Sequence, residues 1–246
     1  MDIRAADLEH PLNYARILIA HLVPSCVDKL LYLDTDMVVV GRIEDLFDYD
    51  PGTRVIGSPE FCGRKAKQYF TNAFWEARDV SSPSVAGEDA RHRRRRDPEE
   101  VFGSGSASCY FNPGVLVIDV NEWKAQDIST KILGWMTAHK ESDEPLYELG
   151  SLPPFLLVFA GRIAPARGVG TKERRKKRQA RLSPSWNDHD YGCVCGNLPD
   201  AKTVNIVHWS CDGKPWRRLA NAREQCVVDV VYYRKYAVMS DAYGAS

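Results

Sequence analysis

The chain has 246 residues, of which 44% are hydrophobic and 27% are charged, and its formal net charge is zero. This length and apolar content predict one globular domain, residues 1–246, with a substantial core. The longest apolar stretch, residues 153–160, is far too short for a membrane-spanning helix, so the composition excludes a membrane span within this chain.

Strand and helix patterns alternate along the chain. Apolar residues at helical spacing predict a helix from Leu12 to Val23, which ends at Pro24. Strands are predicted at residues 29–33, 37–40, 54–58 and 115–120. Further helices are predicted at residues 43–47, 68–77 and 127–139, and Asp127 is expected to cap the last of them. Because strands alternate with helices, we expect an α/β fold with a mostly parallel sheet in three layers.

Two carboxylates follow the apolar run Leu30 to Leu33, which is typical of a buried strand. Residues i and i+2 of an extended chain point to the same side, so Asp34 and Asp36 are expected to face one point beyond the strand's carboxyl end. Open α/β sheets bind their ligands there. Paired carboxylates suit Mg²⁺ or Mn²⁺. A solvated, Asp-rich turn is the alternative interpretation.

A second short apolar strand, Asn205 to Val207, ends in His208. Imidazole is a suitable ligand for Mn²⁺, and Lys214 supplies a point charge that can pair with phosphate. A structural histidine and a solvated lysine are the alternatives. Together with the two aspartates, these residues predict a metal site beside a cation suited to a diphosphate.

The positive charge is concentrated in two runs. Residues 91–96 contain five arginines, and residues 172–181 contain seven basic residues and one glutamate, so the rest of the chain is acidic. Both runs lie in segments without apolar periodicity, about 79–107 and 164–185, which we expect to be disordered insertions. A nucleic-acid-binding patch is the alternative, but interleaved aromatic residues and a nucleic-acid fold motif are absent, so we do not expect a nucleic-acid partner.

Several stretches of the sequence are distinctive and occur in a fixed order. They are Asn13-Tyr14-Ala15-Arg16, residues 31–36, Cys109 to Val115, Tyr147 to Gly161, His208-Trp209-Ser210 and Lys214-Pro215-Trp216. In these stretches, over roughly two thirds of the chain, the sequence resembles the retaining nucleotide-sugar glycosyltransferases, a group that includes glycogenin and the bacterial lipopolysaccharide galactosyltransferases. Within that group the chain most resembles the plant galacturonosyltransferase-like proteins.

The resemblance implies a three-layer, Rossmann-like fold of the glycosyltransferase A type. It also implies Mn²⁺ as the cofactor, with Mg²⁺ as the alternative. The implied metal ligands are Asp34, Asp36 and His208, and the implied donor-binding residues are Arg16, Asp34, Asp36, Asn112, Gly213 and Lys214. For Arg16 and Asn112, a surface arginine and a plain turn asparagine are the alternatives.

The resemblance further implies transfer of a hexosyl or uronosyl group, with galacturonosyl as one candidate, from a UDP-sugar to a polysaccharide or glycan acceptor with retention. Relatives of this kind act in pectin and cell-wall biosynthesis, and the implied location is the Golgi lumen. The matching stretches contain no obvious carboxylate nucleophile, so the catalytic residue stays unknown. A catalytically inactive relative that binds a partner is the alternative function.

Some features of the chain differ from those of the family that it resembles. The family's first nucleotide-binding strand precedes the Asn13 segment, and we expect that strand to be absent here, leaving an N-terminally truncated fold. Cys211 replaces a glycine and is expected to crowd the diphosphate. Leu149-Gly150 replaces an Asp-Gln pair of the bacterial members, as in the plant group. The resemblance also implies a disulfide between Cys195 and Cys226, with reduced thiols as the alternative.

Overall fold

The computed structural model describes residues 11–51, 54–61, 65–76, 98–102, 110–159, 182–195, 199, 203–221 and 225–235. The strands are β1 (Lys29–Leu33), β2 (Met37–Val39), β3 (Ile56–Gly57), β4 (Glu60–Phe61), β5 (Tyr110–Phe111), β6 (Val115–Asp119) and β7 (Ile206–His208). The α-helices are α1 (Ile19–Leu22), α2 (Ile43–Phe47), α3 (Asn72–Glu76), α4 (Pro98–Phe102), α5 (Val120–Ala125), α6 (Ile128–Glu141), α7 (Leu152–Phe159) and α8 (Pro215–Arg218). Short 3₁₀ segments lie at Pro11–Leu18, Ala66–Tyr69 and Pro184–Asn187, and a π-helix at Asp229–Arg234.

Among these described strands, β6 is the centre of a three-stranded sheet with the order β1-β6-β3. Its residues Val115 to Ile118 are β-branched or leucine and are all buried, as expected for a central strand covered on both faces. Strand β1 pairs with it over five residues, from Lys29 opposite Asp119 to Leu33 opposite Val115. Strands β2 and β7 form a separate antiparallel pair, in which Met37 lies opposite His208.

The prediction of a mostly parallel sheet is wrong for the described strands, because every ladder between them is antiparallel. Alternation of strands and helices along a sequence gives the order of the elements but not their direction. Direction depends on pairing between distant residues, such as the hydrogen bond of 2.9 Å from Asp34 N to Gly114 O that extends the β1–β6 ladder.

The main core packs helices α5, α6 and α7 against the sheet. Trp123 and Phe155 are completely buried there, with their ring centroids 6.1 Å apart. The indole of Trp123 donates to the Ser129 hydroxyl (3.0 Å), which donates to the carbonyl of Ile17 (2.7 Å). This buried chain of hydrogen bonds ties the N-terminal helical segment to α6 and so fixes the element that carries Arg16.

Two details of the predicted elements need correction. Asp127 precedes α6 but does not cap it with its side chain, because its backbone is left-handed, with φ 51°. The predicted insertions lie mostly outside the described residues, but residues 98–102 and 182–185 within them are described. Phe102 of α4 is buried against Phe70, with the ring centroids 5.5 Å apart, and Leu182 is buried as well. Apolar side chains in these described parts bury enough surface to hold them in place.

Within the described part of the chain, no helix has both the length and the apolar character needed to cross a bilayer.

Candidate metal and donor site

Asp34, Asp36 and His208 meet where three strands begin or end. Asp34 follows β1, Asp36 precedes β2, and His208 is the last residue of β7. Because Met37 pairs with His208, the β2–β7 ladder brings the imidazole next to the carboxylates. His208 Nε2 lies 3.2 Å from Asp36 Oδ1 and 3.9 Å from Asp34 Oδ2. The structure therefore brings together the three residues that the sequence predicted as metal ligands.

The imidazole of His208 is buried and oriented from behind. Its Nδ1 lies 2.8 Å from the side-chain oxygen of Asn187, the last residue of the 3₁₀ segment Pro184–Asn187. An amide oxygen accepts hydrogen bonds, so this contact assigns a proton to Nδ1 and leaves Nε2 facing the carboxylates. Partners of this kind fix the ring of a metal-binding histidine. Asn187 was not predicted from the sequence, because Asn187 lies 21 positions away from His208.

The two oxygens of Asp34 have different partners. Oδ1 accepts a hydrogen bond of 2.7 Å from the Tyr32 hydroxyl and lies 3.6 Å from the Arg16 guanidinium, while Oδ2 faces His208. The guanidinium also lies 5.0 Å from the centre of the Tyr32 ring. Burial and the negative charge of Asp34 raise the pKa of Tyr32, so the phenol remains a donor. Arg16 therefore lies at the site, where it holds the Asp34 carboxylate in position.

Asp36 lies between His208 and Lys214. Its Oδ1 faces His208, and its Oδ2 lies 2.5 Å from the Lys214 ammonium, which also donates to the carbonyl of Trp209 at 2.7 Å. Burial by itself would raise the pKa of Asp36, but His208 and Lys214 outweigh it and hold this pKa below its usual range. Asp36 is therefore ionised and ready to act as a ligand.

Gly114 leaves room between the ligands. A β-carbon at this position would lie 2.8 Å from Asp34 Oδ2 and 2.9 Å from His208 Cε1. Asn112 stabilises the turn around Gly114, because its side-chain oxygen accepts from the Gly114 amide at 2.9 Å. The contacts of Asn112 are thus those of a turn residue, the alternative interpretation of the sequence. The space beside Gly114, between the Asp34 carboxylate and the His208 imidazole, fits a divalent ion, whose preferred ligands are oxygen and nitrogen atoms of this kind.

Gly213 packs against the segment 187–195, which we call the strap. Its amide donates to Gly192 O at 3.0 Å, and a β-carbon at Gly213 would overlap the Arg218 guanidinium. Glycine is therefore required at position 213 because there is no room for a β-carbon, and not because the backbone is left-handed. Gly213 shapes the loop that carries Lys214.

Two disulfides connect the strap to its surroundings. The Cys195–Cys226 disulfide that the resemblance implied is present, with the two Cα atoms 5.3 Å apart. A second disulfide, which the sequence analysis did not predict, joins Cys193 to Cys211, with the two Cα atoms 5.1 Å apart. The Cys211 sulfur is therefore bonded to the strap, and the expectation that Cys211 crowds the diphosphate did not include this covalent partner.

A cleft of about 720 Å³ lies beside α6. It is lined by Tyr14, Tyr147 and the turn Leu149-Gly150, in which both residues have a positive φ. His139 stacks on Tyr147 with the ring centroids 4.0 Å apart and forms part of the wall.

The fold and the site define an α/β protein with two carboxylates and an imidazole converging at strand ends. The model of the family described as "Glycosyl transferase family 8" matches residues 2–220. The chain therefore belongs to glycosyl transferase family 8, as the resemblance in the sequence indicated.

Two relatives with similar sequences come from Arabidopsis thaliana. "Probable galacturonosyltransferase-like 6" is 38% identical over 232 residues, which cover 92% of this chain and 55% of the relative. "Probable galacturonosyltransferase-like 10" is 37% identical over 231 residues, which cover 92% of this chain and 53% of the relative. The chain thus spans about half the length of the curated relatives it matches.

Solved structures share the fold. The apo-form glycosyltransferase GlyE of Streptococcus pneumoniae TIGR4 superimposes with a TM-score of 0.50 at 19% identity, covering 92% of this chain and 43% of that chain. The apo structure of the bifunctional WbbM protein also gives a TM-score of 0.50 at 19% identity, covering 82% of this chain and 32% of that chain. These likenesses confirm the predicted glycosyltransferase A-type fold class.

Proposed function

We propose that this chain is a retaining glycosyltransferase domain. It transfers a hexosyl or uronosyl group, with galacturonosyl as the first candidate, from a UDP-sugar to a polysaccharide or glycan acceptor. Membership of glycosyl transferase family 8 and the galacturonosyltransferase-like relatives support this reaction class. The observation that carries the proposal is the convergence of Asp34, Asp36 and His208 on one point.

The proposed cofactor is Mn²⁺, with Mg²⁺ as the alternative, held by Asp34, Asp36 and His208. When bound, a divalent ion would supply Lewis-acid stabilisation of negative charge on the departing diphosphate. The chain's own residues prepare this arrangement: Tyr32 fixes Asp34, and Asn187 fixes His208. Their positions make the ligand set rigid before the donor arrives.

Lys214 supplies a cation at the same place. Its flexible stem lets the ammonium exchange the Asp36 carboxylate for a phosphate oxygen of the donor. A charged donor of this kind is most effective where negative charge develops as the UDP departs. Arg16 acts through Asp34 by keeping its Oδ1 occupied and its Oδ2 directed at His208.

The proposed setting follows the plant relatives. Under the proposal the domain works in the Golgi lumen in pectin or cell-wall biosynthesis. Because an oxidising lumen maintains disulfides, the two bonds of the strap agree with this location.

The metal site is tested with Asp36→Ala and His208→Ala, and with Asp45→Ala as a matched control. Asp45 is an exposed residue of α2 whose ionic partner, Arg42, is exposed too. Isothermal calorimetry measures UDP binding with Mn²⁺, with Mg²⁺ and with chelator. We expect both site variants to lose metal-dependent UDP binding by more than about tenfold, since a ligand contributes at least as much as its supporting partners. Unchanged affinity in folded variants would contradict the assignment.

The reaction class is tested separately. UDP release is measured with UDP-galacturonic acid, UDP-galactose and UDP-glucose, and the anomeric configuration of the product is determined by NMR. A retained configuration with one of these donors supports the proposal. Tight metal-dependent UDP binding without release from any donor would instead favour the inactive relative.

A further inference from the structure

Cys211 lies in the middle of the loop between the metal-site residue His208 and Lys214. Its backbone is left-handed, with φ 72°. A residue with a β-carbon is disfavoured in this conformation, and glycine adopts it freely. Something outside the residue must therefore hold the loop in this shape.

The strap follows this loop from one end to the other. His208 N donates to Asp188 O at 2.8 Å, Asp190 N donates to Ser210 Oγ at 3.0 Å, and Gly213 N donates to Gly192 O at 3.0 Å. These hydrogen bonds lie on either side of Cys211. A β-carbon on Gly192 would overlap the carbonyl of Ser210, which shows how closely the two backbones approach.

The disulfide to Cys193 makes the contact at the left-handed residue itself. The other disulfide, Cys195–Cys226, joins the strap to the segment before the π-helix and leaves the loop 208–214 unbridged. The two bonds therefore do different things. The first restrains the loop that presents Lys214 to Asp36, and the second anchors the strap.

We propose that Cys193 and Cys211 are positioning residues, whose disulfide holds the loop 208–214 in the conformation that binds the diphosphate. The inference rests on the proposed function for its consequence in donor binding, although the restraint of the loop is independent of it. A covalent tether thus accompanies a backbone conformation at residue 211 that glycine would adopt freely.

The test compares Cys193→Ala, Cys211→Gly and the double variant Cys193→Ala/Cys211→Gly with the unmodified chain. Cys26→Ser, which removes an exposed free thiol, is the control. The first readout is amide hydrogen exchange of residues 208–214, which needs no ligand. We expect faster exchange in Cys193→Ala, and restored protection in the double variant, because glycine adopts a positive φ without a tether.

The second readout is UDP affinity in the presence of Mn²⁺. We expect Cys193→Ala to weaken it about tenfold, since a left-handed backbone disfavours a residue with a β-carbon by about that factor. The double variant should recover most of this loss. Dithiothreitol should weaken UDP binding by the unmodified chain more than UDP binding by the double variant, although it reduces Cys195–Cys226 in both.

Two results would overturn the inference. One is unchanged exchange of residues 208–214 in Cys193→Ala. The other is a double variant whose loop exchanges as fast as that of Cys193→Ala, because the loss would then not arise from the backbone of residue 211. If the unmodified chain bound no UDP with Mn²⁺, the proposed function would fail, while hydrogen exchange would still decide whether the disulfide restrains the loop. Circular dichroism confirms that each variant is folded.

Discussion

Replacing Gly114 by alanine tests whether the geometry of the candidate metal site matters at the level of tenths of an ångström. The added β-carbon would lie 2.8 Å from Asp34 Oδ2, 2.8 Å from Met37 Cε and 2.9 Å from His208 Cε1. Ordinary van der Waals contact for such an atom begins at 3.4 Å. The Met37 methyl can rotate away, but Asp34 and His208 must separate by roughly half an ångström.

That displacement exceeds what a metal site tolerates, because ligand distances are maintained within about 0.2 Å. We therefore expect Gly114→Ala to weaken Mn²⁺-dependent UDP binding by about 10–100-fold, the effect of disturbing the groups that orient a ligand. Overpacking should also lower the free energy of unfolding by about 1–3 kcal/mol. Calorimetry measures the first effect, and urea denaturation measures the second.

Gly134→Ala is the matched control, because it makes the same chemical change within α6. It should leave UDP affinity unchanged and slightly favour the helix. A folded Gly114→Ala variant that binds UDP and Mn²⁺ as tightly as the unmodified chain would refute the reasoning, because it would show that no ligand occupies the space between Asp34 and His208.

Two further predictions concern groups behind the site. Tyr32→Phe removes the hydroxyl that donates to Asp34 Oδ1, and should weaken Mn²⁺-dependent UDP binding roughly tenfold while the fold persists, since hydrogen bonds to charged groups contribute about 1.5–3 kcal/mol. Calorimetry with unchanged affinity would show that Tyr32 only packs. Asp229→Ala leaves the Trp209 indole and the buried Arg218 without their shared carboxylate, and should lower the free energy of unfolding by about 3–5 kcal/mol. A loss below about 1 kcal/mol in urea denaturation would contradict this role.

The convergence of Asp34, Asp36 and His208 was predictable because the information that positions them is local. Asp34 and Asp36 directly follow an apolar strand, and His208 ends another, so strand boundaries alone suggest where the side chains are presented. The boundaries of β1 were predicted correctly for the same reason. The helix was predicted from Leu12 to Val23, but its first part lies in the 3₁₀ segment Pro11–Leu18, since helical spacing does not separate these two forms over two turns.

The remainder depends on contacts between distant residues. Tyr32 has no motif of its own, and only the structure shows that its hydroxyl reaches Asp34. The pairing of Cys193 with Cys211 was one of many combinations open to the cysteines of the chain. Strand direction could not be read from alternation either. Each of these features is set by tertiary packing, which single-sequence patterns do not encode.

Under the proposed function, the charges of the site favour binding of the metal and the donor together. Asp34 and Asp36 contribute two negative charges, and Arg16 and Lys214 compensate them within 3.6 Å and 2.5 Å. A divalent cation alone adds positive charge to a balanced site, and a diphosphate alone adds negative charge. Added together, the two largely cancel, so each lowers the cost of binding the other. Under the proposed function such coupling is reciprocal, so that UDP should tighten Mn²⁺ binding by the same factor by which Mn²⁺ tightens UDP binding. A site already neutral before either ligand arrives is therefore suited to a metal–nucleotide complex and not to either component alone.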